Sequence, residues 1–371
     1  MNNKSINVPR RQFSGYLGCL LLSAALPSVS MANSPSSYAS ASVDDRGQHW
    51  LIVFDQLGNQ QVKYPLPSRA HQVLKHPTQP WLLVVARRPG QYLLVIDLNT
   101  GALVQRITAS TGQHFCGHMQ ISADGKLLYT TENITLNSAG LIVVRDFSEQ
   151  LQTLQQFSSG GIGPHQLKLC DADKTLVVAN GGIHTKNRQK LNLQQMHSNL
   201  SYINLATSEI TEQVMLDTEY AQLSIRHIAV DDSSRVLIAM QYQGERTAVV
   251  PLVALHQRGE PLSFLAIPEK DFFQLQQYCG SACFDRTGSV VAVSAPKGDS
   301  ILFWDLANNN RYLHKIKVKD GCGITAGASE GEFIVSSGRG RVYQINPRQA
   351  SKTLLLKNTA IQWDNHLAAV G

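Results

Sequence analysis

The sequence predicts an all-β chain closed into a seven-bladed β-propeller, and three observations carry that expectation. Short runs rich in Val, Ile, Leu and Tyr alternate with turn residues, and no long segment keeps the helical period of about 3.6 residues. One unit recurs along the chain: a strand, an Asp/Gly turn, an apolar strand, a loop, and a strand that ends in Asp or Asn. Fragments of that unit remain at both ends of the chain, and each supplies what the other lacks.

The N-terminus is set aside first. Lys4, Arg10 and Arg11 precede an apolar run from Tyr16 to Val29, and Ser30-Met31-Ala32 offers small residues for cleavage. The Arg10-Arg11-Gln12-Phe13 arrangement resembles a twin-arginine export signal, which a receptor reads and which does not anchor the protein. Residues 1–32 are therefore read as a signal peptide and residues 33–371 as one propeller domain, periplasmic, monomeric and without stable membrane insertion. Losing the three leader cations takes the formal charge from +6 to +3, which leaves no electrostatic footprint for nucleic acid. Five cysteines remain after cleavage, Cys116, Cys170, Cys279, Cys283 and Cys322. An odd number in an oxidising compartment leaves at least one free, intermolecular or a ligand.

The turn and second strand of successive units begin at His76-Pro77, Asp124-Gly125, Asp173-Lys174, Asp232-Ser233, Asp285-Arg286 and Glu330-Gly331. Third strands end at Asp97, Asp146, Asn204, Asp305 and Asn346, and Trp304-Asp305 has the form of the WD dipeptide, a repeat of the YVTN/WD40 kind. Six complete units run from about His71 to Lys357. The C-terminal His366-Leu367-Ala368-Ala369-Val370 reads as a lone first strand; Tyr38 to Val43, His49 to Asp55 and Gln60 to Leu66 read as the second, third and fourth strands that complete it. Joining them closes the ring and removes two exposed sheet edges. Two insertions interrupt the rhythm: Ile183 to Asn199 between strands, and Arg258 to Tyr278 as a long outer connection.

In a propeller, the residues that lead into the innermost strands crowd the mouth of the central channel. Around the ring that position holds His71, His118, His165, His227, Cys279, Cys322 and His366. Neutral imidazole and thiolate suit copper, zinc or iron far better than magnesium or calcium, so these seven are candidate metal ligands, with iron or copper ions as the expected metals. Cys116, His114 and His184 would lie on the same face as a second layer. The competing expectation is structural: buried histidines hydrogen-bonded to Asp or backbone, and Cys279 with Cys322 as a disulfide between adjacent blades. Arg87, Arg88, Glu132, Asn133, Lys186, Arg188, Arg226, Lys297, Arg339 and Arg341 fall on loops of this face, a mostly basic rim suited to an anionic ligand or an acidic partner. No nucleophile elbow, P-loop, dinucleotide fingerprint or zinc-protease helix motif is present.

Several segments taken together resemble a bacterial family of exported proteins known as domain of unknown function 1513. They are Ser122-Ala123-Asp124-Gly125 through Thr131-Glu132-Asn133, Gly161-Ile162-Gly163-Pro164-His165, Val178-Ala179-Asn180-Gly181-Gly182-Ile183, Leu193 to Met196, Ser224-Ile225-Arg226-His227 and Ala239-Met240-Gln241-Tyr242-Gln243-Gly244. The resemblance spans nearly the whole mature chain, with Thr185-Lys186-Asn187 standing where a His-Pro pair is expected. It implies a twin-arginine substrate in an iron-associated periplasmic system, beside imelysin-type iron-uptake proteins and di-haem proteins as partners. The resulting expectation is an accessory protein of metal uptake, with a non-catalytic docking platform and a lactonase-like or oxidoreductase enzyme as the alternatives.

Overall fold

Among the described residues the long apolar runs form strands, and strands near the centre of the ring are apolar on both faces because each sheet is sandwiched between two others. Leu82, Leu83, Val84 and Val85 are all fully buried in one strand, whereas the outermost strand of the same sheet, Leu103–Thr108, alternates exposed and half-buried residues. The computed structural model describes residues 37–186 and 189–370. The leader expected over residues 1–32 lies outside them, as does Arg188 of the first insertion. Among the described residues, no helix is long and apolar enough to cross a membrane.

Seven antiparallel sheets form the propeller. Blades one to six follow one another in the chain, their innermost strands being Ala70–Lys75, Gln113–Ile121, Pro164–Cys170, Leu223–Val230, Ala282–Phe284 and Gly321–Ala326. Each is a four-stranded meander, so neighbours in sequence are neighbours in the sheet. The seventh blade is assembled from both ends. Its strands Gln60–Leu66, His49–Asp55 and Ser37–Asp44 come from the N-terminal side, and the innermost edge is supplied by Ile361–Trp363 and Ala368–Ala369. Ser42 lies opposite Trp363, and Ala39 opposite Ala368. The single C-terminal strand expected from His366 to Val370 is thus two short pieces with a break at Asp364–Leu367. Ser40 Oγ donates to the His366 carbonyl at 2.6 Å and fixes the break in place.

That break belongs to a pattern. The innermost strands of blades one, two, three, four and six each lose register with their neighbour at the point where the lead-in residues sit: between Ala70 and Val73, Phe115 and Met119, Pro164 and Gln166, Ile225 and His227, and Gly321 and Ile324. A bulge inserts an unpaired residue, bends the strand and re-aims a side chain. Gly117 shows why the bulge of blade two has its sequence. Its φ is +106°, and a Cβ there would stand 2.8 Å from His71 Cδ2.

Two expectations change. Arg258 to Tyr278 is not purely a connection, because Ser263–Phe264 pairs within it as the short fourth strand of blade four, followed by the helical turn Glu269–Phe272. Glu132 and Asn133 are not rim residues but fully buried in the second strand of blade two. Glu132 meets Arg145 of the adjacent strand at 2.7 Å, and Arg145 also donates to Thr130 Oγ1 at 2.7 Å. Removing the cation from such a pair strands a buried carboxylate. Arg145→Ala is therefore expected to cost about 3–5 kcal/mol in denaturant unfolding. A loss below about 1 kcal/mol would show that the pair is readily replaced.

Candidate metal centre

The bulges of blades one to four and the break in the seventh bring five imidazoles to the axis. His71, His118, His227 and His366 each offer a ring nitrogen, and these nitrogens lie within 4.8 Å of one another. His118 Nε2 and His366 Nε2 are 3.0 Å apart. The rings of His71, His118 and His366 stand almost edge-on to one another, with centroids 4.6–4.8 Å apart. His165 is the fifth: its ring stacks parallel to that of His71 at 5.9 Å and lies 4.5 Å from that of His227.

Chemically the cluster is a set of neutral nitrogen donors. Burial above all holds the imidazoles of His118, His165, His227 and His366 well below the usual histidine range, and each further cation brought among them would repel its neighbours. Two neutral rings 3.0 Å apart can share one proton, but five rings cannot satisfy one another this way. His118 Nδ1 and both ring nitrogens of His227 are buried without a well-formed hydrogen bond, although the backbone of His165 approaches the His118 ring and that of Gly280 the His227 ring. Each such orphan costs about 1–3 kcal/mol. Elsewhere the chain handles a structural histidine differently. His76 Nε2 donates to the Gly125 carbonyl at 2.9 Å, while its Nδ1 accepts from Thr78 and Gln79.

A metal would take one lone pair from each ring, including one of the two on His227. Four nitrogens at about 2.0–2.1 Å from a tetrahedral ion lie about 3.4 Å apart. The cluster needs small side-chain rotations to reach that spacing. His71 carries a supporting carboxylate: its Nδ1 donates to Asp364 Oδ1 at 3.4 Å, leaving Nε2 for the axis. Burial opposes ionisation of Asp364, but the hydrogen bond from His71 and the Arg69 guanidinium outweigh it and hold its carboxyl well below the usual carboxylate range. A carboxylate behind an imidazole fixes its tautomer and raises its basicity as a ligand. Neither Asp364 nor Arg69 was singled out by the sequence, although each stands two residues before an axial histidine, as Arg69-Ala70-His71 and Asp364-Asn365-His366.

The two cysteines of the ring lie elsewhere. Cys322 turns its thiol toward the closing blade, against the Asp364 carbonyl at 3.2 Å. Cys279 is fully buried in the hydrophobic core with Met240, Leu275 and Val293. Both thiols are free, as are the other cysteines of the described residues, so the expected disulfide is absent among them. Burial pushes both up to about 12, which keeps them as thiols. Of the expected second layer, His184 Nδ1 donates to the Asn137 carbonyl at 2.8 Å and His114 pairs with Thr135 Oγ1 at 3.2 Å, whereas Cys116 lines a cavity above the cluster.

The cluster plugs the channel between two cavities. The lower, of about 580 Å³, reaches His227 and His366; the upper, of about 220 Å³, reaches His71, His165 and His227. His227 borders both.

The lowered pKa values have a sign that can be measured on metal-free protein. Below about pH 6.5 the unfolded chain takes up protons that the buried imidazoles refuse, so stability falls as pH drops from there and levels off above it. Denaturant midpoints between about pH 5 and pH 8 should follow that course, and His118→Gln with His227→Gln should reduce the slope. An unchanged slope in the double variant would place its origin in other groups.

Residues 64–370 match the family described as "Protein of unknown function (DUF1513)". Among solved structures the chain is similar to Kuenenia stuttgartiensis hydrazine synthase, with a TM-score of 0.61 at 12% identity, covering 88% of this chain and 97% of that one. At that identity the likeness establishes the fold alone. No curated protein sequence matches the chain. The family match spans blades one to six, the C-terminal strands of the seventh and all five axial histidines, and the protein belongs to the DUF1513 family.

Proposed function

We propose that the protein is a periplasmic accessory of metal uptake or handling, and that it holds one transition-metal ion on the propeller axis. The observation that supports this reading is the convergence of four imidazole nitrogens within 4.8 Å of one another, on rings of which two, His118 and His227, carry buried nitrogens without a well-formed hydrogen bond. His71, His118, His227 and His366 are the ligands, with His165 beside them as a fifth donor or a replacement for one. Cys279 and Cys322 are left out of this set because their thiols face the core and the closing blade. Imidazole donors without carboxylate suit iron, copper or zinc and disfavour magnesium and calcium. The iron-associated setting implied by the family resemblance favours iron, with copper as the other expected metal.

The propeller's own contribution is rigidity and enclosure. Each ligand comes from a different blade, so the spacing is set by the closed ring rather than by a flexible loop. The Asp364 carboxylate orients His71, and the cavities above and below give the ion two routes of exchange through His227. Twin-arginine export of a folded chain would let the metal be loaded before the protein leaves the cytoplasm. Imelysin-type or di-haem proteins of the periplasm are the partners with which it would be exchanged.

Elemental analysis of protein exported by its native route is expected to find close to one iron or copper per chain, and His118→Ala with His366→Ala to abolish retention. Metal-free exported protein whose affinity for added iron and copper is the same in that double variant would overturn the reading.

A further inference from the structure

The upper cavity has a charge pattern that the metal reading does not use. Arg87, Arg88, Lys190 and Arg226 line it, and His71, His165 and His227 form its floor. No carboxylate lines it among the described residues. Its remaining polar groups include Gln241 and Tyr278, and Lys297 lies over the Tyr278 ring at 4.6 Å.

Arg226 is the unusual member. It is only 9% exposed, its Nε is buried without a hydrogen-bond partner, and it stands in no ion pair among the described residues. Arg87 and Arg88 line the same cavity beside it. Among the described residues the other deeply buried arginine, Arg145, has Glu132 against it. Burying a guanidinium beside two more cations is costly unless an anion completes the site. Position also matters: Arg226 directly precedes His227 and occupies the bulge of blade four, so one distortion of the strand serves both residues.

We infer that the upper cavity is a binding site for a small oxyanion carrying two negative charges, such as phosphate or a dicarboxylate, held by Arg88, Arg226 and Lys190 directly over the imidazole cluster. Guanidinium groups match the paired oxygens of such anions in bidentate fashion. With a cation on the histidines below, an oxygen of the anion lies on the side of the metal that faces the cavity. The anion then raises metal affinity, and the metal raises anion affinity by the same factor. The coupling rests on the metal reading; the anion site itself does not.

The test is calorimetric titration of phosphate and, separately, malonate into metal-free protein at constant ionic strength, with chloride as the monovalent control. Saturable binding of at least one dianion at or below about 1 mM is expected. Arg226→Gln should weaken it at least about tenfold, and Arg88→Gln, which leaves the buried guanidinium in place, should weaken it measurably in a folded protein. Stronger binding of phosphate or of malonate assigns the class of anion. If neither dianion binds saturably, or if both variants bind as wild type does, the inference is wrong. Binding of dianions by protein that never retains metal supports the anion site while overturning the metal reading, and metal retention without dianion binding does the reverse.

Discussion

The structure depends on the pairing of the two chain ends. Without Ile361–Trp363 and Ala368–Ala369, the strand Ser37–Asp44 would present an open edge, and the ring would lack the contact that makes seven sheets one body. The same pairing delivers chemistry. The break between those two segments carries Asp364 and His366, so closure of the ring and completion of the imidazole cluster are one event. A propeller whose termini were unpaired would lose an axial ligand and the carboxylate behind His71 together.

A second constraint acts within each blade. A regular strand alternates its side chains between the two sheet faces, which in a propeller both pack against neighbouring blades. Pointing a side chain at the axis instead requires a departure from the ladder, and the register shifts of blades one to four and the break in the seventh provide it. The cost is visible in positive-φ glycine at Gly117 and in buried polar atoms left without partners. Such local inconsistencies cluster where a protein holds something. Some of them stand at the axis, on His118 and His227, with the buried Arg226 guanidinium beside them.

The seven units, the order of their strands and the closure across the termini were legible in the sequence because turn residues and apolar runs repeat at blade length. The five histidines were legible for the same reason, as matched lead-in positions. The cysteines were not. A bulge adds a residue, and a one-residue slip sends a side chain to another face. Cys322 falls within such a bulge, with its thiol against the closing blade, and nothing in Gly321-Cys322-Gly323 announces the direction. Glu132 escaped for a similar reason: beside Asn133 it reads as a polar loop, and only the strand opposite reveals that Arg145 neutralises it. Asp364 and Arg69 are near each other only after the ring closes, 295 positions apart in the chain.

The central claim is that a metal sits among imidazoles and not among thiols. X-ray absorption spectroscopy of the metal-loaded protein tests it most directly. Four or five nitrogen neighbours at about 2.0–2.1 Å, with the outer-shell scattering of imidazole rings and no sulfur at about 2.3 Å, is the predicted spectrum. A first shell dominated by sulfur, or by oxygen without imidazole scattering, would contradict the account.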